Sequence, residues 1–183
     1  MGGSPKALIP FGGRPLIEHI AETLRSVLAD CLVVTNTPEL YDFLRLPMVG
    51  DAYPDHGSLG GIFTGLAAAS GDAAFTVACD MPFVHREVAR LVVARAAEGD
   101  VVIPRVGVQL ETMHAVYAKA CLPHIEARLQ AGRLRIVGFF ESVRVVEIDE
   151  AEVARHRAPD VAFMNVNTPE ELARARALAV ELG

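Results

Sequence analysis

The stretch Phe75-Thr76-Val77-Ala78-Cys79-Asp80-Met81-Pro82 constrains this chain more than any other. An apolar run preceded by Gly71-Asp72 and stopped by a proline has the composition of a parallel strand covered on both faces, ending at Cys79. A strand buried in that way needs helices above and below it, so the chain has to fold in layers of α and β structure. Ligands in open α/β sheets bind just beyond the carboxyl ends of such strands, where Asp80 stands. Asp80 therefore reads in two ways: as a cap for the following helix, or as a carboxylate that holds Mg²⁺ against a phosphate.

The remainder of the chain alternates strand and helix patterns, the signature of βαβ units and a largely parallel sheet. Leu16, Ile20, Leu24 and Leu28 recur at helical spacing behind Pro15, which suits the first turn of a helix. Strands are expected at Cys31–Thr35, Pro47–Val49, Val101–Pro104, His114–Ala118 and Val143–Ile148. Helices are expected at Pro38–Leu44, Leu59–Ala69, around Arg86–Glu98, around Leu122–Gln130, near Ile136–Phe140 and at Pro169–Leu182. No repeat, low-complexity tract or linker divides residues 1–183, which read as a single domain. One element is missing: a nucleotide-binding sheet normally opens with a strand that leads into its phosphate loop, and here Met1-Gly2-Gly3 comes first.

Charge and cysteine content narrow the functional classes. A formal net charge of −6 at pH 7 argues against binding duplex nucleic acid, which needs a basic face to displace counterions. No apolar run reaches membrane-spanning length and the N-terminus has no signal-peptide pattern, so no membrane association and a cytoplasmic location are expected. Cys31, Cys79 and Cys121 form no metal or disulfide spacing and read as small buried or half-buried residues. Only two of the 17 basic residues are lysines, which makes Lys6, next to glycines, more conspicuous.

Several residues carry chemistry, each with a plainer alternative. Gly2, Gly3 and Lys6 resemble the downstream half of a phosphate loop, in which glycines admit backbone N–H groups to anionic oxygens and lysine adds a point charge; glycines near a start also occur without function. In the loop Asp51 to Gly61, Gly60 and Gly61 near the start of a helix indicate that a ligand, such as a flat base, or a neighbouring backbone packs closely. Thr168, Pro169 and Glu171 form a helix start with a capping box, which leaves Asn165 and Asn167 unexplained. Side chains two apart on a strand share a face, so both amides point the same way, either into a turn or into a site. His114, inside an apolar run, reads as a satisfied core or edge residue, and Arg133 and Arg135 read either as surface charges or as partners for an anionic substrate.

In order along the chain, Gly2-Gly3-x-x-Lys6-x-Leu8, the Gly12 to Leu16 turn, Asp51, Gly57-x-Leu59-x-Gly61-Ile62, Cys79-Asp80-Met81-Pro82-Phe83 and Asn165-Val166-Asn167-Thr168-Pro169-Glu170-Glu171-Leu172 resemble the molybdenum cofactor guanylyltransferase family. The resemblance implies a three-layer, Rossmann-like nucleotidyltransferase fold with a mostly parallel sheet. It also implies an enzyme that transfers GMP from GTP to molybdopterin, the molybdenum cofactor, with release of pyrophosphate. By the same resemblance Asp80 binds Mg²⁺ and is catalytic together with Lys6. Gly2, Gly3, Lys6, Asp51, Gly57, Leu59, Gly61 and Asp80 lie on the nucleotide side. Asn165, Asn167, Arg133 and Arg135 lie on the pterin and phosphate side. Transient contact with cofactor-biosynthesis proteins or molybdoenzymes is a further implication.

Two departures bear on this reading. The family pattern continues upstream with a strand and a Leu-Ala-Gly-Gly-x-Ser-x-Arg loop, which is absent, and Glu111-Thr112-Met113 stands where relatives usually carry a proline. Deleting a central strand would expose two unpaired neighbours, so the natural protein is expected to be longer at its N-terminus. The alternatives are another nucleotidyltransferase, acting on molybdopterin with CTP or on a sugar phosphate, and a non-catalytic nucleotide- or pterin-binding adaptor.

Overall fold

A computed structural model of the chain describes residues 5–182. The main sheet has the order β5 (Ala73–Val77), β8 (His114–Ala118), β6 (Val101–Val106), with β9 (Val145–Ile148) on the far edge of β6. The short β7 (Gln109–Leu110) folds back on the end of β6. Strand β8 runs antiparallel to both neighbours, and β6 and β9 are parallel. Two more strands, β3 (Val33–Val34) and β4 (Met48–Val49), form a separate parallel ladder, and β1 (Pro10–Phe11) pairs with β2 (Arg14–Pro15) in a small hairpin.

Alternation along the central strands divides the core between two faces. Val101, Ile103, Ala115 and Tyr117 point to α2 (Gly57–Ala68) and α4 (Leu122–Gln130), where Leu59, Ile62, Leu66, Ile125 and Leu129 meet them. Val102 and Val116 point the other way, to α1 (Leu16–Arg25), α3 (Arg86–Ala94) and α7 (Pro169–Leu182), and pack with Leu16, Ile20, Val88, Val92 and Leu172. These side chains are almost completely buried, and each valine, leucine and isoleucine among them contributes about 1.5–3 kcal/mol of burial free energy. The result is the expected three-layer α/β arrangement with a mixed, mostly parallel sheet. Two short helices, α5 (Glu150–Ala154) and α6 (Pro159–Ala162), carry the chain from β9 towards α7.

Strand β8 and helices α4 and α7 have the bounds expected from sequence. Other elements differ. Strand β5 stops at Val77 rather than Cys79, and Cys79-Asp80 form a turn. The Pro38–Leu44 segment is two 3-10 turns, and the expected Arg86–Glu98 helix ends at Ala94, followed by a 3-10 turn. Pro15 sits just outside α1 and takes part in the hairpin. Cys121 is buried and Cys31 half-buried, as expected, but Cys79 is exposed because the strand has ended before it.

No ladder joins β3 and β4 to β5 among the described residues, although α2 packs on all three strands. All five residues of β5 are only half-buried, as are Val33 and Val34 of β3. Among the described residues the strands thus form a sheet that divides between β3 and β5.

Candidate active site

Lys6, Asp80 and Asn167 meet at the carboxyl end of β5. The Lys6 Nζ donates to Asn167 Oδ1 at 2.7 Å and lies 3.8 Å from Asp80 Oδ2. Lys6 comes from a 3-10 turn, Lys6–Leu8, that is anchored by the buried Ala7 against Ile17, Ala21, Tyr41 and Leu44. The next turn is closed by Leu16 N–H donating to Ile9 O at 3.0 Å. Asp80 belongs to the turn that follows β5, and its neighbours Met81 and Pro82 are buried. This burial fixes the turn and leaves the carboxylate half-exposed. Asp80 does not cap α3, whose N-cap residue is His85.

The Asn165–Asn167 segment is held beside Asp80 through its backbone, with Val166 N–H donating to Asp80 O at 2.8 Å. Val166 is buried, whereas Asn165 and Asn167 are both exposed, the pattern expected of alternating side chains. The capping box is present: Glu171 Oε2 accepts from Asn167 N–H at 2.6 Å and Thr168 N–H at 2.9 Å, and Thr168 Oγ1 accepts from Glu171 N–H at 3.1 Å. The helix start therefore also rigidifies the segment that presents Asn167 to Lys6.

A second group lies just past β3 and β4. Asp51 Oδ1 accepts from Tyr53 N–H and from the buried Thr64 hydroxyl, both at 3.0 Å. Asn36 Oδ1 accepts from Asp51 N–H at 2.8 Å. Among the described residues these bonds leave the Asn36 amide hydrogens and Asp51 Oδ2 without a partner. Sequence reasoning missed Asn36; the available signal was an asparagine directly after an apolar strand run.

The third group is the start of α2. Asp55 has φ +67° and Gly57 φ +59°, so the chain turns twice through the left-handed region, once in the loop and once at the first residue of α2. Successive N–H groups in such a loop, next to a helix N-terminus, form a concavity suited to an anion. A cavity of about 380 Å³ opens there, lined by His56, Gly57, Ser58, Thr112, Arg135 and Leu134 among others. Arg133 is exposed but does not line it.

The two helix-start glycines divide between the two explanations. A Cβ at Gly60 would lie 2.7 Å from Tyr53 O, so Gly60 is required by the approach of the protein's own backbone. At Gly61 a Cβ would meet nothing within 4 Å, which leaves open space beside the helix. Leu59 is a correction to the expected nucleotide side: its side chain is fully buried in the core, so only its backbone could face a ligand. Gly2 and Gly3 lie outside the described residues.

His114 is buried but not satisfied. Neither ring nitrogen has a hydrogen-bond partner among the described residues, and the ring packs edge-on between Phe75 and Phe163. Burial lowers its pKa to about 3, so it is neutral at ordinary pH. Although Cys79 as a residue is exposed, its sulfur is desolvated, and that, then the Asp80 charge, raises its thiol pKa and makes it a poor nucleophile.

A mixed sheet flanked by helices, with Lys6, Asp80 and Asn167 gathered beyond the carboxyl end of β5, is the arrangement of a Rossmann-like nucleotidyltransferase fold. The structure of molybdopterin-guanine dinucleotide biosynthesis protein A from Archaeoglobus fulgidus has this fold, with a TM-score of 0.83 over 98% of this chain and 92% of that one at 24% identity. The sequence takes the assignment further. A family model described as a MobA-like NTP transferase domain matches residues 1–145. A molybdenum cofactor guanylyltransferase from Desulfosudis oleivorans is 37% identical over 100% of this chain and 90% of its own. A probable one from Pelotomaculum thermopropionicum is 36% identical over 97% and 86%. The chain belongs to this family of MobA-like nucleotidyltransferases.

Proposed function

We propose that this protein transfers GMP from GTP to the terminal phosphate of molybdopterin and releases pyrophosphate. The observation that carries the mechanism is the convergence of Lys6, Asp80 and Asn167 at the end of β5. In the reaction an acceptor phosphate oxygen forms a bond to the α-phosphorus of GTP while the bond to the departing pyrophosphate breaks opposite it. Such a transfer needs two anions positioned and charge neutralised, and no protein nucleophile.

The residues present fit a divalent cation, Mg²⁺ in this reading, because the Asp80 and Asn167 oxygens already converge on one cationic nitrogen. Bound there, the metal would neutralise charge on the phosphates. Lys6 is assigned to the triphosphate, for which its flexible stem and compact charge are suited. Asn36, Asp51 and the open space at Gly61 are assigned to the base, with free donor and acceptor groups for a guanine edge. Arg135 and the N–H groups at Gly57 and Ser58 are assigned to the acceptor, since they share one cavity. This brings a residue expected on the nucleotide side, Gly57, opposite one expected on the pterin side, Arg135. Asn165, exposed beside Asp80, is assigned with Asn167 to the metal and pterin phosphate, and Arg133, outside the cavity, to longer-range attraction of the anionic acceptor.

In this reading the whole chain, 1–183, acts as one nucleotidyltransferase domain in the cytoplasm, with transient contacts to the enzymes that supply and receive the cofactor. No helix of the described residues is long and apolar enough to cross a membrane. The test is product analysis with molybdopterin and Mg²⁺, supplying GTP or CTP. A guanine dinucleotide and pyrophosphate are expected from GTP, and turnover with CTP alone would overturn the guanylyl assignment. Asp80→Ala is expected to lower turnover by at least about 100-fold with an unchanged far-ultraviolet circular dichroism spectrum.

A further inference from the structure

The cation already at Asp80 and Asn167 is the protein's own. Lys6 Nζ donates to Asn167 Oδ1 at 2.7 Å, a full hydrogen bond, and sits 3.8 Å from Asp80 Oδ2, an ion pair without hydrogen-bond contact. An ammonium and a divalent ion cannot share those two oxygens, because like charges that close repel strongly. The side chains of Lys6 and Asp80 are 42% and 20% exposed, so the pair is partly in solvent and is readily broken.

What can move is confined to the lysine stem. The Lys6–Leu8 turn is pinned by buried Ala7, and Ile9 N–H donates to Lys6 O at 3.1 Å, which holds the backbone. On the other side, Val166 N–H on Asp80 O and the Glu171 cap fix the two oxygens. Only the four rotatable carbons of Lys6 lie between these anchored parts. A triphosphate arriving in front of Asp80 offers the ammonium several charged oxygens in place of one carboxamide oxygen and a loose ion pair.

We propose that Lys6 is a resident cation that occupies the Asp80/Asn167 site until nucleotide arrives, then passes to the triphosphate, so that divalent metal enters only together with nucleotide. The proposal rests on the metal and phosphate assignments made above for Asp80 and Lys6. Its consequence is that metal and nucleotide binding are positively coupled through one side chain, and that by linkage each raises the other's affinity by the same factor. Without nucleotide the site resists being filled by metal alone, and the coupling requires no movement of the fold.

The test is Mn²⁺ binding followed by electron paramagnetic resonance, on the full chain, with and without a non-hydrolysable GTP analogue. Wild-type protein is expected to bind Mn²⁺ weakly alone and more tightly with the analogue. Lys6→Met is expected to bind Mn²⁺ without nucleotide on the order of tenfold more tightly than wild type, and to show a smaller gain on adding the analogue. Asn167→Ser, which removes the lysine's hydrogen-bond acceptor but keeps an oxygen, separates loss of the latch from loss of the charge; its nucleotide-free Mn²⁺ affinity is expected between the two. Unchanged or weaker nucleotide-free binding in Lys6→Met overturns the proposal. Asp80→Asn controls the underlying reading: if, with the analogue present, it binds Mn²⁺ as tightly as wild type does, the metal assignment itself fails, whatever Lys6→Met shows.

Discussion

Strands β6 and β5 have similarly apolar sequences, yet four consecutive residues of β6, Val101 to Pro104, are buried, whereas all five residues of β5 are half-exposed. Strand β6 has β8 and β7 on one edge and β9 on the other; β5 has β8 on one edge and no ladder on the other among the described residues. The difference comes from neighbours, not composition. A fully flanked strand loses water from both faces and both edges, while a strand with one open edge keeps water along its length. The catalytic candidates cluster at the end of the less protected strand, Asp80 just past β5 and Asn36 and Asp51 just past β3 and β4. Burial is therefore concentrated in the β8–β6–β9 half and the candidate site in the β3–β5 half.

Truncations in adjacent, register-matched strands test that division most strongly. Val116→Ala, at a site only 2% exposed, is expected to cost about 2–3 kcal/mol, from lost burial and the void left behind. Val77→Ala, on half-buried β5, is expected to cost about half as much, by urea unfolding. Equal losses would remove the distinction between the halves.

The buried imidazole of His114, on β8, gives the protected half a pH dependence. Its folded pKa of about 3 lies below the ordinary 6.5, so below pH 6.5 the unfolded chain binds a proton that the native state refuses. The stability it permits is complete above that pH and is lost as the pH falls from 6.5 towards 3. Between pH 7 and pH 5 the loss from this group is on the order of 2 kcal/mol. His114→Leu should flatten that part of the profile, measured as urea midpoints at the two pH values; parallel profiles for variant and wild type would show that His114 is not the group responsible.

The smallest effect lies at the open half. Thr168→Ala removes the cap that steadies Asn167 and is expected to cost about 1 kcal/mol of stability. It should also loosen the segment docked on Asp80, seen as faster amide exchange at Asn167 and Thr168, with exchange in β6 and β8 unchanged. Uniform acceleration throughout the sheet would mean that the two halves open as one unit.

Local patterns carried the elements whose ends are marked by local chemistry. The α7 start was legible because Thr168, Pro169 and Glu171 spell out a cap, and β8 was legible as a compact apolar run between polar segments. The direction of β8 was not, since an apolar run reads the same in parallel and antiparallel pairing. The hairpin β1–β2 and helices α5 and α6 are only two to five residues long and too short for a period to show. At the site, Asp80 and the paired asparagines stood out by position and alternation, whereas Asn36 acquired meaning only when β3 and β4 were paired and Asp51 N–H came to its carboxamide. Leu59 shows the converse: its place in a glycine motif suggested a ligand, and packing put it in the core.

The sequence by itself determined the layered α/β class, the strand that delivers Asp80 and the cap that presents Asn167, because burial periodicity and capping are short-range properties written in a few neighbouring residues. The tertiary structure decided which oxygens meet the Lys6 ammonium, which glycine makes room for backbone and which faces open space, and which strands are protected on both edges. Those depend on residues as far apart as Lys6 and Asn167, 161 positions along the chain, whose meeting is fixed only when the sheet and its helices pack.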